Sequence, residues 1–152
     1  MNTEITIRDA CEKDVPQLVD LLNDLFTIEV DFKPNIERQT IGLKMLVAQP
    51  SYGVIKIASI TDGLIIGMVS AQLVISTAQG NYSAWIEDMI VANAYRHQGI
   101  GKQLLQSAIE WAKDKGATRA QLLVDIENER ALGYYQHLGW QSTQLNARRI
   151  FF

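Results

Sequence analysis

The chain has one cysteine, Cys11, and only two histidines and three prolines among its 152 residues. A single cysteine excludes an intrachain disulfide and points to a reducing compartment. No neighbour pattern lowers its thiol pKa, so Cys11 reads as a packing residue. His97 and His137 stand far apart, and with one cysteine they leave no metal-ligand set, so no metal is expected. An excess of either charge is missing too: 14 basic residues face 17 acidic ones, for a net charge of -3. That speaks against nucleic acid as a partner, because a phosphate backbone is held by a positive field. Long apolar runs are missing as well. The most apolar stretch, LIIGMVSAQLVI at 64–75, is too short for a bilayer and contains Ser70 and Gln72, so no membrane partner is expected. MNTEITIRDACEKD carries charges where a signal peptide needs an apolar run. These absences together predict a cytoplasmic protein.

What is present belongs to a folded chain: 47% hydrophobic and 20% charged residues, in a length that suits one domain, 1–152. Ile5 and Ile7 alternate with polar neighbours and predict a strand over 3–9. A helix over 15–27 follows, with Asp14 as its cap and Leu18, Leu21, Leu22 and Leu25 on one face. A second helix, 36–48, presents Ile41, Met45 and Ala48, and Pro50 stops it. Strands at 53–59 and 64–76 flank a turn at 61–63, and a loop covers Ser76 to Ser83. A strand at 85–91 leads into a glycine-rich turn and a helix ending near Lys115, where Gly116 breaks it. A strand at 119–125, a helix at 128–138 and one or two final strands complete the chain. This order predicts an α/β (α+β) fold. Its core would be a single mixed, mostly antiparallel twisted sheet of six or seven strands with helices on both faces.

Two glycines open the third long helix, in RHQGIGK. Glycine weakens helices, and the first amides of a helix lack internal partners. Without side chains there, an anion can approach several N–H groups at once, with Arg96 and Lys102 adding positive charge. The pair is also compatible with a plain strand-to-helix turn. It does not match a Walker loop, because Gln103 stands where Ser or Thr is required.

With its flanks, IEDMIVANAYRHQGIGKQLLQSAIEWAKDKG resembles the GNAT superfamily of acyl-coenzyme A N-acetyltransferases. The family pattern [Q/R]-x-x-G-x-[G/A] is matched by Arg96-His97-Gln98-Gly99-Ile100-Gly101. NERALGYYQHLGW resembles a second family segment through Asn128, Ala131, Tyr135, Gly139 and Trp140. IEDMIV is similar to the polyamine and thialysine branch. The resemblance implies a GNAT-like sheet and acetyl-CoA as cofactor. The main chain of His97, Gln98, Gly99, Ile100, Gly101 and Lys102 would hold the pyrophosphate. Met89, Ile90 and Val91 would pair with the pantetheine arm across a bulged strand, with Asn128 beside it.

The implied chemistry is direct acetyl transfer to a primary amine. Tyr135 is expected to protonate the departing thiolate, while Tyr134 is read as packing. Glu87 is the candidate base. Phe26, Glu29, Asp31, Phe32 and Asp88 are candidates for the acceptor side, where their carboxylates would favour a small cationic amine. A protein or peptide amine is the alternative acceptor, and a CoA-binding module without catalysis is the alternative class. The apolar ending NARRIFF would either meet a second copy in a homodimer or be buried locally.

Overall fold

The computed structural model describes residues 3–29 and 31–152, which form five strands and four α-helices. The chain divides into two compact units, 1–122 and 123–152. The first contains β1 (Ile5–Asp9), α1 (Val15–Ile28), α2 (Ile36–Val47), β2 (Gly53–Ile60), β3 (Ile65–Ser76), β4 (Asn81–Val91), α3 (Ile100–Asp114) and β5 (Arg119–Leu122). Its five strands lie in chain order in one sheet. β1 to β4 are antiparallel, and β5 runs parallel to β4. The parallel last step follows from the α3 crossover, which returns the chain to the sheet in the same direction.

Helices flank both faces. Leu18, Leu21 and Leu22 of α1 and Leu43 of α2 are buried with Ile55, Ile57, Met68 and Ile90 of the sheet. Gly67, next to Met68 and therefore on the opposite face, lies under α3: a Cβ there would stand 3.0 Å from Leu104 Cδ1 and 3.2 Å from the Ile90 carbonyl. Leu104, Leu105, Ala108 and Ala112 of α3 are buried, at the spacing read from the sequence. Trp111 is half-buried, at the margin.

Several expectations need correction. The sheet has five strands among the described residues, not six or seven. Pairing of β5 stops at Leu122, and nothing after Gly139 enters a ladder. The expected loop 76–83 is a four-residue turn, because β4 begins at Asn81, paired with Ser76. On α2 the expected apolar face points outward: Ile41 and Met45 are 52% and 66% exposed, and Ala48 is exposed as well. A polar residue, Gln39, is buried instead. Its amide nitrogen donates to the Val19 carbonyl at 3.2 Å and to Asn23 Oδ1 at 2.9 Å, and its oxygen accepts from Asn35 N. Full hydrogen bonding makes that burial tolerable and ties α2 to α1.

Asp14 precedes α1 but does not cap it with its side chain. Its carboxylate takes two nitrogens of Arg8, at 2.8 and 2.9 Å, and the amide of Cys11 at 2.7 Å. Those hydrogen bonds, Arg8 foremost, pull the Asp14 carboxyl down to about 2. Cys11 itself is exposed and not packed.

The second unit contains α4 (Glu129–His137). Asn128 caps that helix, accepting from the Ala131 amide at 3.1 Å, and His137 sits in its last turn beside the negative end of the dipole. Among the described residues, no helix is long and apolar enough to cross a membrane.

Candidate active site

The turn between β4 and α3 answers why two glycines open a helix. Gly99 is the N-cap of α3 at φ 78°, a left-handed conformation that favours glycine. His97, at φ 63°, is left-handed too. Gly101 lies inside the first helical turn without a positive φ, so turn geometry does not require it. The first helical bond runs from Gln103 N to Gly99 O at 3.2 Å. Among the described residues, the amides of Gly99, Ile100, Gly101 and Lys102 have no protein acceptor. Several N–H groups at the positive end of a 15-residue helix make a seat for an anion.

Arg96 is engaged within the turn. Its Nε donates to the Val91 carbonyl at 2.8 Å, and its Nη1 reaches Asn93 Oδ1 at 3.4 Å. The guanidinium thus straps the turn to the end of β4.

β4 is bulged. Met68 pairs with Ile90 and Ser70 with Glu87, so Val69 of β3 faces two residues, Asp88 and Met89. Asp88 takes φ 54°, which aspartate tolerates better than most side chains. β4 pairs with β5 only from Ser83 to Ile86. Beyond Ile86, among the described residues, that edge of β4 carries no strand partner. Ala92 N donates to Ile66 O. Ladder alternation then turns the main chain of Ile90 toward β3 and that of Val91 toward the outer edge.

Carboxylates gather at the bulge. Burial, reinforced by Glu87 and Glu29, pushes the Asp88 carboxyl up to about 7. Asp88 is half-buried and Glu87 exposed. Glu29, which caps the end of α1, thus adds to the negative field at Asp88. Phe26 and Phe32 meet as a tilted ring pair, centroids 5.4 Å apart. Asp31 lies in the same exposed segment.

A family model described as "Acetyltransferase (GNAT) family" matches residues 15–140. The chain belongs to the GNAT acetyltransferase family. A bovine thialysine N-epsilon-acetyltransferase is 39% identical over 67 residues, covering 40% of this chain and 39% of the relative. The aminoalkylphosphonate N-acetyltransferase of Salmonella typhimurium is 25% identical over 137 residues, 90% of this chain and 85% of the relative. Among solved structures, a possible acetyltransferase of Clostridium difficile 630 superimposes with a TM-score of 0.85 at 21% identity, covering 97% of each chain. That likeness establishes the GNAT fold. The chain spans less than half the length of the first curated relatives it matches.

In this GNAT chain the second motif lies in the other unit. Tyr135, on α4, is half-buried and meets Tyr134 and Trp140 edge-on, with centroids 5.4 and 6.0 Å away. Tyr134, expected to pack, is 37% exposed, and burial of its remainder pushes its hydroxyl pKa up.

Two contacts at Glu87 escaped the sequence reading. The Trp85 indole N–H donates to Glu87 Oε1, and the Ser70 hydroxyl donates to the Glu87 carbonyl at 3.1 Å. The i, i+2 spacing of Trp85 and Glu87 on one strand face was the available signal.

Proposed function

We propose that this chain transfers the acetyl group of acetyl-CoA to a primary amine, and that the acceptor is a small cationic amine. The observation that carries this reading is the row of amides without protein acceptors at the mouth of α3, following a bulged strand whose outer edge has no strand partner. These features fit a diphosphate joined to an extended amide-bearing arm. The amides from His97 to Lys102 would hold the diphosphate, with Lys102 and Arg96 supplying charge. Of Met89, Ile90 and Val91, Ile90 does not serve the arm as expected, because its main chain is turned to β3; the Val91 N–H is directed to the arm's side, and Asn128 is assigned to the arm on its motif. We take 1–152 as one acetyltransferase domain, a reading supported by a family match that spans both compact units.

Acetyl-CoA supplies an acetyl group activated as a thioester. The residues of the chain have three tasks. Glu87 accepts the proton that the ammonium must lose before its nitrogen can attack. A β4 amide polarises the carbonyl. Tyr135, assigned on the family motif, donates a proton to the departing thiolate. Glu29, Glu87 and Asp88 raise the local negative potential, and Phe26 and Phe32 offer an apolar wall. Such surroundings attract an ammonium and repel an acceptor carrying an anionic group near its amine. Of the two curated relatives, the thialysine enzyme is therefore the better guide to the acceptor. The lone cysteine suits a reducing, cytoplasmic setting.

The test is thiol release from acetyl-CoA with a panel of polyamines, lysine analogues, aminoalkylphosphonates and short peptides. Turnover is expected with cationic amines. Reaction of peptides alone would reject the acceptor class, and CoA binding without turnover on any amine would identify a binding module instead.

A further inference from the structure

Glu87 is held at both ends. Its carbonyl receives the hydroxyl of Ser70, a residue 2% exposed and its direct partner across β3. Its carboxylate receives the indole N–H of Trp85, two residues earlier on β4. Trp85 is half-buried, with Gln72 of β3 and Gln121 of β5 as its register partners. Its backbone is therefore held by strands on both sides, and the half-buried ring has its N–H engaged by Glu87. A glutamate side chain free in solution samples many rotamers, and ordering it costs about 1.5–2 kcal/mol. A donor fixed by packing removes part of that freedom before any substrate arrives.

We propose that Trp85 is a positioning residue for the acceptor amine: its indole N–H engages one oxygen of Glu87 and leaves the other directed at the incoming ammonium. The proposal rests on the reading of Glu87 as the proton acceptor. It also explains an unusual feature of the bulge. The strand turns Asp88 out of register immediately after Glu87, so a second acid stands next in the chain, and the Trp85 N–H supplies Glu87 with a donor that carries no charge. An aromatic donor orients a carboxylate without adding a positive charge, so the negative potential that attracts the amine is preserved. A lysine or arginine in the same place would cancel it.

The experiment joins a spectroscopic and a kinetic arm on the full chain. Nitrogen-15 labelling of tryptophan gives indole signals from Trp85, Trp111 and Trp140, and Trp85→Phe identifies the first by its loss. Glu87→Gln is expected to move the Trp85 signal and leave the other two in place. With the best amine from the panel, Trp85→Phe is expected to lower kcat/KM for the amine about tenfold, as loss of a hydrogen bond to a charged group implies. The KM for acetyl-CoA and the melting temperature should hold. Glu87→Gln combined with Trp85→Phe should be no slower than Glu87→Gln alone, because the two residues act as one unit. Full-rate turnover by Trp85→Phe beside an impaired Glu87→Gln overturns the proposal. So do losses that multiply in the double variant, or a Trp85 signal unmoved by Glu87→Gln in a protein that acetylates amines. Failure of the wild type to acetylate any amine instead removes the enzymatic reading on which the proposal stands.

Discussion

Replacing Asp88 with Asn gives a pH-dependent stability change whose sign follows from the site. Burial, Glu87 and Glu29 raise the folded-state pKa of Asp88 to about 7, while the unfolded chain titrates near the ordinary carboxylate value, about 4. Between those values the folded state binds more protons than the unfolded one, so ionisation opposes folding. Below about pH 4 Asp88 is neutral in both states and contributes no difference. Stability then falls as pH rises to about 7, and above that the penalty is complete. The full displacement corresponds to about 4 kcal/mol. Asp88 is half-buried rather than sealed off, and water screens its neighbours, which reduces the expected penalty to about 2 kcal/mol. Asn keeps the side-chain shape, tolerates φ 54° and cannot ionise. Asp88→Asn should therefore match the wild type near pH 4 and melt about 4–8 °C higher at pH 8. Thermal unfolding of both proteins across that range is the assay. Parallel curves, with the same gap at pH 4 and pH 8, would refute the assignment of a raised pKa.

Asp14→Asn should show the opposite trend. The Asp14 carboxyl is held at about 2 by Arg8, so its contribution of about 1–2 kcal/mol is present above pH 4 and lost as pH falls toward 2. Acid unfolding curves of variant and wild type should converge there. Gly67→Ala places a methyl against Leu104 and the Ile90 carbonyl and should cost about 1–3 kcal/mol, read from urea unfolding. Tyr135→Phe should lower kcat by about 100-fold or more, as expected for loss of a general acid, while CoA affinity measured by calorimetry is unchanged.

Much of the fold was legible because periodicity and burial agree. Leu18, Leu21 and Leu22 of α1 and Leu104, Leu105 and Ala108 of α3 repeat at helical spacing and are buried. α2 was misread because counting apolar residues cannot detect a buried glutamine satisfied by Val19, Asn23 and Asn35. Ile41 and Met45 consequently took its place in the expected core. The extra strands were misread for another reason. Residues after Gly139 have apolar character, but a strand needs a ladder partner, which no local pattern supplies. At the site, Gly99 could be read from the chain because a left-handed turn has few alternatives to glycine. The bulge was implied by the family resemblance alone, and its position at Asp88–Met89, like the strap from Arg96 to Val91, could not be read because each depends on the register of β3 against β4. The Trp85–Glu87 bond lies between these cases: strand alternation implies a shared face, but only the fold gives the contact.

The proposed chemistry requires main-chain donors at the mouth of α3 to grip the diphosphate of CoA. A crystal structure of the chain with CoA would show whether they do. Diphosphate oxygens within about 3 Å of the amides of Gly99, Ile100, Gly101 and Lys102 are the expected result. A diphosphate bound elsewhere, with those four amides engaged by groups of the protein, would rule out this mode of cofactor binding.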